Sequence, residues 1–75
     1  MSAFTVAARV LGDLPLSAGQ LAQLRAIDTR YWRQIAERDP AGIDEAALDA
    51  ELDAAIETEL LAMLTPDQRR SLAER

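Results

Sequence analysis

Leu48, Leu52, Ile56, Leu60 and Leu64 recur at every fourth position, with Ala55 and Met63 beside them. One apolar row of this kind predicts a helix over about 44–64. A second row, Leu21, Leu24, Ile27, Tyr31 and Ile35, recurs at three- and four-residue spacing and predicts a helix over about 17–38. Phe4, Val6, Val10 and Leu11 predict a shorter helix over about 3–11, ended by Gly12. Leu72 is the inward anchor of a last short helix over about 65–75. Alternating runs of β-branched and aromatic residues are missing, so no strand is expected.

The helix starts are written alike. Leu16-Ser17, Ile43-Asp44 and Leu64-Thr65 each place a short oxygen-bearing side chain after an apolar residue. That oxygen can accept from first-turn N–H groups that have no partner inside the helix. Ser17-x-x-Gln20 and Thr65-x-x-Gln68 go further and match the capping box, in which the glutamine reaches back to the cap residue's own N–H. Leu16 is then expected to staple to Leu21, and Ile43 to Leu48. At the last start Arg69 stands where the staple partner belongs, so no staple is expected there. Pro66 compensates at the first helical position, and it biases Thr65 away from helical geometry, so the preceding helix should break at Leu64. "DPAG" at 39–42 reads as the turn between the two long helices, with Asp13 and Asp39 as turn residues.

Two long helices joined by a short turn make an antiparallel helical hairpin the economical fold, flanked by the short N- and C-terminal helices in a single all-α domain over 1–75. Charge adds to that expectation. Seven acidic residues and no basic one fall between Asp44 and Glu59, while Arg25, Arg30, Arg33 and Arg38 lie on the facing helix. Exposed pairs of this kind contribute about 0.2–1 kcal/mol each. A hairpin alone leaves part of each apolar row uncovered. A domain of this size draws only roughly 3–5 kcal/mol from its own core. A homodimer, packed as a bundle or cradle, is the expected remedy.

Composition removes several kinds of function. There is no cysteine and no histidine, hence no disulfide, no thiolate chemistry and no imidazole base or metal ligand. The net charge of −5 argues against nucleic acid. No apolar run approaches the roughly 20 residues that span a bilayer, so no membrane insertion is expected. Carboxylates are plentiful, but no Ser/His or Cys/His pair and no Gly-rich phosphate loop accompanies them, so no enzyme and no cofactor are expected. The row Asp49, Asp53, Glu57 spans two turns, too far for one cation, and reads as a solvated face. Tyr31-Trp32, flanked by Arg30 and Arg33 and one turn from Ile35, is the aromatic pair of the chain. It reads either as an anchor in a dimer core or as a contact for a partner protein, where Trp, Tyr and Arg dominate binding energy. The segment around Phe4 likewise either packs on the hairpin or serves as an exposed docking segment.

The order of these parts resembles a known family. "LPLSAGQLAQLRAI" opens one long helix and "LLAMLTPDQRRSLAER" closes the other. Leu64, Thr65, Pro66 and Gln68 are similar to the second motif of the LTxxQ family, the Spy and CpxP periplasmic stress proteins and their metal-responsive relatives. Leu16, Ser17 and Gln20 resemble its first motif, with serine in place of threonine. The likeness covers about Leu14 to Arg75. It implies an antiparallel helical dimer that binds unfolded or partner proteins as a chaperone or stress-response adaptor, in the periplasm. The chain departs from the family in its short, acidic hairpin, its lack of histidine and the lack of a visible export leader. Met1 is thus either the native start of a cytoplasmic protein or the new start of a trimmed exported one. The alternative reading is a small accessory or structural subunit of a larger bacterial complex.

Overall fold

The computed structural model describes residues 2–38, 40–42 and 44–75, which form four α-helices and one 3-10 turn, with no strand among the described residues. α1 spans Ala3–Leu11, α2 Ala18–Glu37, α3 Glu45–Met63 and α4 Pro66–Ala73, and the 3-10 turn covers Pro40–Gly42. Met1, Asp39 and Ile43 lie outside the described residues, and with them the expected Ile43–Leu48 staple and the Asp39 turn.

Each helix starts on a side-chain oxygen. Ser2 Oγ accepts from the Thr5 N–H at 3.2 Å, a cap that opens α1. Ser17 Oγ accepts from the Gln20 N–H at 3.1 Å and Thr65 Oγ1 from the Gln68 N–H at 3.2 Å, while Asp44 Oδ1 accepts from both Ala46 and Ala47. Gln20 Oε1 and Gln68 Oε1 return the favour to the Ser17 and Thr65 N–H groups, each at 2.9 Å, completing both capping boxes. Such caps are typically worth about 1 kcal/mol apiece. α1 stops at Gly12, whose φ of 60° is open to glycine and costly for other residues.

α1 packs against both α2 and α3. Ala3, Val6, Ala7 and Leu11 share one buried cluster with Leu24 and Ile27 of α2, Ile56 and Leu60 of α3, and Leu64 beyond it. Leu72 of α4 lies half-buried against the same cluster. Polar ties hold α1 in place at either end. The Ala3 N–H donates to Asp28 Oδ1 at 2.8 Å, so an α2 carboxylate sits at the positive end of the α1 dipole. The Arg75 guanidinium donates to the Leu11 carbonyl at 2.8 Å and pairs with Asp13 at 2.9 Å, placing a cation at the other end. Arg9 reaches Asp53 on α3 at 2.9 Å.

This arrangement corrects one expectation. The middle of each long apolar row is covered by α1 within one chain. Leu21, counted in the α2 row, is 41% exposed. The inward phase of α2 is set by Gln20, Leu24, Ile27 and Tyr31, and Leu21 falls outside it. Contacts between α2 and α3 run in opposite sequence order: Gln20 meets Met63, Arg30 meets Glu59, and Arg38 meets Glu51.

Candidate functional site

The two capping boxes meet. Gln20 Nε2 donates to Gln68 Oε1 at 2.6 Å, and Gln68 Nε2 donates back to Gln20 Oε1 at 2.9 Å. The remaining amide protons go to backbone: Gln20 Nε2 to the Met63 carbonyl and Gln68 Nε2 to the Pro15 carbonyl, each at 3.1 Å. Pro15 lies two residues before the Ser17 cap and Met63 two before the Thr65 cap, so the bonds form an approximate internal two-fold. A primary amide offers two donors and one acceptor oxygen with two lone pairs, and both glutamines use all of them. The motifs therefore cap their own helices and each other. Arg69, where a staple was absent, donates instead to the Leu61 and Ala62 carbonyls at 3.1 and 3.3 Å and so covers the open end of α3.

Beside this junction a shallow groove of about 440 Å³ runs between Gln23, Ala26 and Arg30 of α2 and Glu59, Ala62 and Met63 of α3. The Arg30–Glu59 ion pair lies across it. Burial pushes the Glu59 carboxyl up, but hydrogen bonding by Arg30 and Tyr31, with the charge of Arg30, outweighs it and holds Glu59 below the usual carboxylate range. The same hydrogen bond raises Arg30. Burial raises the Tyr31 hydroxyl, and the neighbouring carboxylate charge adds to that. Arg30 also stacks on the Tyr31 ring at 5.3 Å from its centroid.

The five residues expected to bind a partner thus divide. Tyr31 and Ile35 are half-buried, Tyr31 against the core cluster, and Arg30 is committed to Glu59. Trp32, 48% exposed, and Arg33 face outward. Leu21 and Trp32 are eleven residues apart, three turns of helix, which brings them within about 20° of one another. Arg25 lies about 20° and Arg33 about 100° round the helix from Trp32, both on the same side of this row, and neither has an ion-pair partner among the described residues. Phe4, 42% exposed, follows Ala3, whose N–H is bound by Asp28 one turn before Trp32. The outer face of α2 at its junction with α1 is therefore aromatic and apolar, with the charges of Arg25 and Asp28 beside it. Arg25 and Leu21 were not singled out for this face from the sequence, although their seven- and eleven-residue spacing to Trp32 was the available signal.

Of the acidic row, Asp53 and Glu57 both turn toward Arg9, at 2.9 and 3.9 Å. No group of three potential ligands that could hold a metal ion occurs among the described residues. No described helix is long and apolar enough to cross a membrane. No family model matches this chain, and comparison with characterised proteins and with solved structures finds no similar one.

Proposed function

We propose that this chain is a small, non-enzymatic protein-binding module of the LTxxQ kind, a chaperone or stress-response adaptor. In this reading α2 and α3 form an antiparallel hairpin flanked by α1 and α4, and the periplasm is its compartment. The observation that carries it is the exposure of Trp32 with Leu21 on one face of a helix whose other side is buried. A tryptophan left half in water forfeits burial that favours folding, by about 25 cal/mol per Å² of apolar surface. A binding partner recovers that term, which is why tryptophan is concentrated in binding hot spots.

A second reading, a permanent subunit of a larger complex, is favoured by Leu61, 38% exposed on α3 rather than on α2. A fixed assembly would cover both faces, whereas a transient client needs one. The deciding measurement is suppression of aggregation of an unrelated unfolding client by the isolated protein. Stoichiometric protein is expected to delay aggregation, and Trp32→Ala to lose most of that effect with helix content unchanged. No delay at excess, or full activity in Trp32→Ala, rules the client-binding reading out.

A further inference from the structure

We draw no further inference here: the strongest candidate, the outer face of α2 around Leu21 and Trp32, is an unpartnered apolar face on which Asp28 and Glu37 balance the charges of Arg25 and Arg33, and nothing in the structure shows what covers it.

Discussion

The two ends of α2 are held by different physics. At its start, Gln20 is 8% exposed and locked into four hydrogen bonds between uncharged groups. Leu24 and Ile27 lie buried just beyond, close to Leu60, which is fully buried. Toward its end, Tyr31 and Ile35 are only half-covered, and the ties to α3, which buries Leu48 and Leu52 in this half, include the ion pairs of Arg30 and Arg38, with partly exposed side chains. Exposed ion pairs contribute little and weaken with salt, whereas buried apolar contacts and fully satisfied amides carry more and are indifferent to it. The start of α2 is therefore held by neutral contacts that salt does not screen, and its end in part by charges that salt does.

The sharpest way to break this comparison is to cut the same number of methyl groups from each end. Leu60→Ala should cost about 2–5 kcal/mol and Ile35→Ala closer to 1 kcal/mol, since truncation penalties rise with burial and with the cavity left behind. Urea unfolding monitored by circular dichroism measures both, and equal penalties would remove the distinction between the ends. A middle-sized effect comes from the paired amides. Gln20→Leu and Gln68→Leu should each cost about 1–3 kcal/mol, because each strands the partner amide and a backbone carbonyl. The double variant should cost clearly less than the two added together, by at least about 0.5 kcal/mol. Additivity would mean that the amides act as two separate caps.

The smallest effect is electrostatic. Glu59 is held below its ordinary pKa, so its contribution is complete above the unfolded value of about 4.3 and is lost as the pH falls through the lower folded value. Its side chain is about a third exposed, which limits the gain to under about 1 kcal/mol. Stability measured from pH 6 down to pH 2 should fall less steeply in Glu59→Gln than in the parent. Identical slopes would show that the Arg30 pair contributes nothing measurable.

The parts of this structure written in local sequence were legible. A cap residue and the glutamine three positions on make their bonds within one turn, so Ser17-x-x-Gln20 and Thr65-x-x-Gln68 announce their helix starts without knowledge of the rest of the chain. Ser2 carries the same signal in its simplest form and was overlooked. What local reading lacked was a count of donors. A capping box uses the glutamine oxygen and leaves two amide protons unplaced, and those protons are what join residue 20 to residue 68. The place of α1 was open for a related reason: nine residues with an apolar stripe fit many surfaces, and Asp28 and Arg75, which hold its ends, lie far off in sequence. The opposed charge rows predicted four arginine partners on α3; Arg30 and Arg38 take them, and Arg25 and Arg33 point away. Their outward phase follows from Gln20 occupying the buried register, a polar residue that a hydrophobic pattern does not count.

The glutamine knot has one more consequence. Neither of its side chains can gain or lose a proton in water, and no lone pair or hydrogen is left over for an ion to compete for. Acid or brine would weaken the ion pairs of the distal half and leave the knot untouched, so the end of α2 that carries Trp32 is the end whose hold on α3 answers to the solvent.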